Sequence, residues 1–274
     1  MINRLKENAI VKAIAAFLLF EVLTQIYAHV RDALHVERIT NFQWLRDELA
    51  YVVIALVVAL IFKTANKLKD PLKGLGKSIL CASWFLLICL LGTVSMIRTY
   101  TSEGPGLKPL PELIIFAVFT LTIGFAEEIL HRGIITELLA RKYADTVKGR
   151  VLTIFTGAFI FSIFHITNIL MGQSVENTIY QMISVFCFAI LLNTIYVKYR
   201  NLYAVILIHA ALDFMTLSDC GMVKGATLNQ NFGSENKTIM WSFIAVNILY
   251  LVAALIIFIV TNKKGGKRNV QENT

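Results

Sequence analysis

Residues 111–130 read PELIIFAVFTLTIGFAEEIL, an apolar run whose only acids, Glu112, Glu127 and Glu128, stand at its two ends. About 20 predominantly apolar residues are what a helix needs to cross the hydrocarbon core of a bilayer. The run closes on two adjacent carboxyls, and ionisable groups inside a membrane require a partner or a function. Whether the rest of the chain follows the same pattern decides the fold.

It does. Further apolar runs lie near 10–30, 49–62, 78–98, 151–171, 177–197, 202–218 and 238–261. The second is the shortest and is expected to begin around Trp44. The chain of 274 residues is 57% hydrophobic and 16% charged, where a soluble domain carries about a quarter charged residues. Its mean hydropathy is +0.66. The charges crowd between the runs. The fold class is therefore all-α: a polytopic membrane protein of about eight transmembrane helices, with residues 1–274 as a single membrane domain. Pro71, Pro105, Pro109 and Pro111 fall between spans or at the start of one, where a missing N–H costs least.

The net charge of +8 does not point to nucleic acid, because the basic residues form no patch or binding motif. They report topology instead. Alternating the loops puts 18 Lys and Arg on the side of both termini and 7 on the other, with Arg132 set aside. The positive-inside rule then predicts cytoplasmic termini and an even number of spans. Cys81, Cys89, Cys187 and Cys220 have neither disulfide-framework nor metal-finger spacing and read as packing residues. Arg4, Lys6 and Lys12 precede the first run as in a signal peptide, but Glu21 interrupts it and no A-x-A-like site follows, so an uncleaved first helix is expected. Beyond Glu127, apolar residues alternate helically with His131, Arg132, Glu137, Arg141 and Lys142, which predicts a helix lying along the cytoplasmic interface.

Four acids fall inside the predicted spans: Glu21, Glu127, Glu128 and Asp213. Glu128 and Arg132 stand at i and i+4 with the acid first, the favourable order for a helical ion pair. Such a pair leaves Glu127, rotated about 100° away, to face another side and exchange a proton; a plain salt-bridged helix end is the bland alternative. In the fifth run Phe161, His165 and Asn168 share one helical face, although a lone histidine there often only hydrogen-bonds a neighbouring helix. In the seventh, His209 and Asp213 are again one turn apart, a spacing that suits an oriented imidazole, a shared proton or a shared metal. Glu21 belongs to no pattern and reads as a structural hydrogen-bonding group.

E-E-x-x-x-R, F-x-x-x-H and H-x-x-x-D, in that order on successive helices, resemble the motifs of the CaaX protease and bacteriocin-processing (CPBP, or Abi) family, whose eukaryotic members are CaaX prenyl endopeptidases. The resemblance covers roughly residues 111–218, taken as the catalytic core. It implies an intramembrane peptidase in which Glu127 is the general base that activates water, His165 its partner, and His209 with Asp213 face the oxyanion. Glu128, Arg132 and Asn168 would support them. Where eukaryotic members carry Asn, this chain has Asp213, which donates a hydrogen bond only when protonated. Two histidines and carboxylates also make the ligand set of a catalytic zinc site, so a metal-dependent enzyme would use Glu127, His165, His209 and Asp213. The chain has no H-E-x-x-H helix, and the glutamic mechanism, which needs no cofactor, is favoured.

At about 1.5 Å per residue, His209 lies roughly 10 Å and Glu127 about 24 Å along their spans, both in the cytoplasmic half. The expected substrate is a membrane-associated protein or peptide: a prenylated CaaX protein, or a bacteriocin or pheromone precursor. The only other partner expected is the lipid bilayer. The short loops suggest a prokaryotic member in the cell membrane. A proton-coupled transporter is the main alternative, but paired broken helices and internal repeats are missing. A non-catalytic immunity or scaffold protein of the same family is the other alternative.

Overall fold

The computed structural model describes residues 8–37, 39–169, 172–228 and 237–271. All eight apolar runs form helices. In chain order the helices are α1 (Ala9–Ala33), α2 (Asn41–Ile61), α3 (Leu75–Cys81), α4 (Ser83–Ser102), α5 (Leu110–Glu128), α6 (Glu137–Tyr143), α7 (Val147–Phe164), α8 (Val175–Tyr199), α9 (Leu202–Thr216), α10 (Ser218–Met222) and α11 (Lys237–Gln271). Among the described residues the only extended pairing is a single bridge, Leu107–Val223. The protein is thus an all-α, multi-pass integral membrane protein. Six helical segments have the length and apolarity to cross a bilayer: Ala9–Ala33, Ser83–Ser102, Leu110–Tyr143, Val147–Ile169, Val175–Tyr199 and Ser242–Asn262. Helix α9, with 15 residues, is shorter, and α2 carries Arg46, Asp47 and Glu48 in its first half.

Local sequence sets several helix starts. Thr40 and Gln43 form a capping box, with the Thr40 hydroxyl accepting from the Gln43 N–H while the Gln43 side chain accepts from the Thr40 N–H, which satisfies two otherwise orphaned donors. This starts α2 at Asn41, one turn before Trp44. Asn201 caps α9, its side chain accepting from the Ala204 N–H at 2.7 Å, and Thr146 caps α7.

One expectation needs correction. The segment after Glu128 does not lie along an interface. It continues α5 as a π-helix over Ile129–Thr136 and runs on into α6. Ile129, Leu130, His131, Arg132, Ile134, Ile135, Thr136, Glu137 and Leu139 are all buried. The alternation of charged and apolar residues reflects buried ion pairs on one side of the helix, not a boundary with water. Glu137, for example, accepts from Arg141 Nε at 2.7 Å and Tyr196 at 3.0 Å, and pairs with Arg200 at 2.7 Å.

The chain forms two compact units, one comprising Ile14–Ile134 with Asn201–Gln230 and the other built around Ile135–Arg200 and the last helix. In the first, α5 packs between α2 and α9, and α4 packs on α9. Gly124 makes the α5–α9 approach close: a Cβ there would stand 2.9 Å from the Ile206 carbonyl oxygen. Phe116, Phe119, Cys220, Met222 and Leu228 form an apolar cluster under Trp44 and Leu45. There the Asn41 amide donates to the Gly221 carbonyl at 2.8 Å, and the Lys108 N–H donates to the Met222 carbonyl at 2.8 Å. A Cβ at Gly221 would strike the Phe116 ring at 2.1 Å, so only glycine lets α10 close over α5. In the second unit α8 packs against α7 and α11. There Asn193 donates to the Ile154 carbonyl at 2.9 Å, and the Asn247 amide donates to the Ser184 hydroxyl at 3.1 Å.

No disulfide links the four cysteines, of which Cys89, Cys187 and Cys220 are buried. Cys220 lies in α10, where burial pushes its thiol up to about 11.

Candidate active site

The close pairing of α5 with α9 brings Glu127, Glu128, Arg132, His209 and Asp213 together in one unit. Glu128 and Arg132, both fully buried, pair at 2.6 Å in the i, i+4 arrangement. The same carboxylate oxygen, Glu128 Oε1, accepts from His209 Nδ1 at 2.7 Å. One carboxylate therefore anchors two side chains from different helices.

That contact decides how His209 presents itself. A carboxylate only accepts, so Nδ1 carries its proton and Nε2 points the other way. Nε2 stands 3.8 Å from Glu127 Oε2 and 3.5 Å from Asp213 Oδ2. These separations are at or beyond hydrogen-bonding range and leave room for a small oxygen-bearing group. The two acids are also the accessible members, with side chains 20% and 17% exposed against 7% for His209. Buried ion pairs thus hold an edge of three exchangeable groups.

His165 and Asn168 belong to the other unit. Helix α7 begins at Val147, ahead of the apolar run, and ends at Phe164; His165 opens a 3₁₀ turn to Ile169. In a 3₁₀ turn residues i and i+3 eclipse, so His165 and Asn168 keep the common side expected of them. His165 is buried, its Nδ1 donates to the Phe161 carbonyl at 3.1 Å, and the Phe161 and Phe164 rings stand edge-on to it. Asn168 donates to Gln181 on α8 at 2.8 Å.

Glu21 does not show the structural hydrogen bond expected of it. It lies on α1 in a shallow groove with Gln25 and His29, and its buried Oε1 has no hydrogen-bond partner among the described residues. The sequence reading missed a different acid, Glu48. It is nine-tenths buried on α2, a helix that packs against α5. It precedes the apolar run at 49–62, yet lies within the helix, which was expected from around Trp44 and begins at Asn41. Among the described residues no three His, Cys, Asp or Glu side chains stand at metal-ligating geometry.

Residues 109–215 match the sequence profile described as type II CAAX prenyl endopeptidase Rce1-like. This segment is similar to the CaaX prenyl endopeptidases. It contains every residue of the three motifs, from Glu127 through His165 to Asp213. Comparison with curated proteins gave no match. In general terms the family supports a CaaX-type intramembrane endopeptidase acting on a membrane-associated protein substrate.

Proposed function

We propose that the protein hydrolyses a peptide bond of a membrane-associated substrate by the glutamic mechanism, without a cofactor, in the cytoplasmic half of the bilayer. The observation that carries this reading is the double anchoring by Glu128. With Arg132 and His209 Nδ1 held by one buried carboxylate, Glu127 is left to act as general base and His209 Nε2 to face the reacting oxygen.

In this mechanism a water hydrogen-bonded to Glu127 loses a proton to it as the oxygen attacks the scissile carbonyl. By the family likeness, His165 assists in activating that water. Charge then develops on the carbonyl oxygen, and His209 meets it with an Nε2–H, which requires the imidazolium form. Glu128 supports that form from behind, as a carboxylate bonded to Nδ1 stabilises an imidazolium. Arg132 in turn pairs with Glu128 at 2.6 Å. Asp213, one turn along α9, orients His209 or donates when protonated. Glu127, His209 and Asp213 are also the groups a metal would use in this unit, so chelator sensitivity is the measurement that separates the two chemistries.

The charge bias supports a cytoplasmic position for both termini and the lysine-rich 63–77 segment. A prenylated CaaX protein fits that side as substrate, and bacteriocin or pheromone precursors are the other class. Cells in which Glu127→Ala replaces the wild type should accumulate an uncleaved membrane-anchored precursor, identifiable by mass spectrometry of the membrane fraction. If the same peptide termini appear in both strains, the peptidase reading is wrong.

A further inference from the structure

Helix α7 ends in the 3₁₀ turn His165–Ile169, and α8 packs along both, all within one compact unit. Two side-chain hydrogen bonds join these elements. The Ser162 hydroxyl donates to the Met182 carbonyl at 2.8 Å, and Asn168 Nδ2 donates to Gln181 Oε1 at 2.8 Å. The second links two neutral amides, both half-buried. A side-chain amide carries an acceptor oxygen and an NH₂ group with two donors. The bond therefore leaves over the Asn168 side-chain oxygen and the Gln181 NH₂ group, which take no further hydrogen bond among the described residues. Turning both amides over exchanges their roles and leaves the same complement, one oxygen and one NH₂ group.

A substrate peptide brings the matching need. Backbone N–H and C=O groups held away from water must be paired, and an extended segment cannot pair its own. It offers an N–H to the Asn168 oxygen and a C=O to the Gln181 NH₂ group. A prenyl chain offers neither. The spacing suits a peptide as well. Asn168 stands three residues beyond His165 on the same side of the turn, about 6 Å along its axis at 2.0 Å per residue. An extended peptide covers about 3.3 Å per residue, so this separation corresponds to about two residues of substrate.

Building on the peptidase reading, in which His165 serves the scissile bond, we propose that the Asn168–Gln181 amide pair is a substrate subsite. It binds the backbone of the extended peptide two residues from the bond that is cut. Gln181 belongs to none of the three motifs, and Asn168 here touches substrate instead of only supporting its neighbours. Such a subsite reads no side chain. Its main-chain hydrogen bonds give affinity and fix the register in which the scissile carbonyl meets the catalytic groups.

The test uses purified protein in lipid nanodiscs, a prenylated CaaX peptide, and a series of the same peptide. Each member of the series has one backbone N–H, at successive positions on both sides of the scissile bond, replaced by an ester oxygen. In the wild type the ester two residues from the scissile bond should lower kcat/KM by about 10-fold, the loss of one hydrogen bond, and the others should lower it less. Gln181→Met, which keeps the side-chain length and removes the amide, should raise KM for the parent peptide by about 10-fold with kcat little changed, as loss of uniform binding does. In that variant the penalty of the sensitive ester should shrink to about twofold or less. The ratio of parent to ester does not depend on the fraction of folded protein, so it remains decisive if the variant is less stable. An ester series with no sensitive position, a penalty retained in Gln181→Met, or a fall in kcat with KM unmoved overturns the inference and leaves the peptidase reading standing. A wild type that cleaves none of the peptides overturns both.

Discussion

Replacing Arg132 with Met removes the guanidinium from a pair in which both side chains are 0% exposed. Taking one partner from a buried pair typically costs about 3–5 kcal/mol, mostly the penalty of leaving the other charge uncompensated. Here the penalty should fall at the lower end, about 3 kcal/mol, because Glu128 keeps its bond to His209 Nδ1 at 2.7 Å and that bond is charge-assisted. Glu128→Gln, seen from the other side, leaves the Arg132 guanidinium buried without its carboxylate, and its cost should be comparable or larger. The double variant strands neither group, so its cost should be less than the sum, with a coupling of about 2–3 kcal/mol. The assay is reversible unfolding of the four proteins in mixed micelles, read by tryptophan fluorescence and fitted as a cycle. Additive losses, or an Arg132→Met cost below about 1 kcal/mol, the range of exposed pairs, would refute the buried anchoring.

Three further outcomes follow from the same geometry. Gly124→Ala sets a methyl 2.9 Å from the Ile206 carbonyl oxygen, so α5 and α9 must part; kcat should fall by about 10²-fold, as misplacements near 1 Å do, while an enzyme of unchanged activity would show the close approach to be irrelevant. Asp213→Asn should remain substantially active and indifferent to chelator, whereas activity lost to chelator and restored by zinc would identify a metal enzyme. For topology, Lys73→Cys and Lys224→Cys, both at exposed positions, should label from opposite sides in a cysteine-free background, Lys73→Cys from the cytoplasm. Lys224→Cys labelling only from the cytoplasm would reverse the orientation. A probe at Ser78 would be buried, and Ser234 lies outside the described residues.

Much of this was legible because membrane helices are written in long apolar runs, and the i, i+4 spacing of Glu128 with Arg132 and of His209 with Asp213 survives into the structure unchanged. Other features were not. The contact between Glu128 and His209 spans 81 positions and depends on Gly124 lacking a side chain, which no local pattern announces. Glu137 looked like an interfacial acid because its tertiary partners, Tyr196 and Arg200, lie some sixty residues away. Glu48 escaped because it precedes the apolar run at 49–62, although its helix was expected from Trp44 and begins at Asn41.

The central claim is that Glu127 is the base of a cofactor-free peptidase, and the most direct measurement is cleavage of a prenylated CaaX peptide by purified Glu127→Gln beside wild type, with Glu21→Gln as control. Glutamine keeps the shape and loses the proton acceptor. The expected result is a fall in kcat of about 10²–10⁴-fold, with peptide binding and thermal unfolding close to wild type and Glu21→Gln fully active. Retained cleavage by correctly folded Glu127→Gln would contradict the assignment.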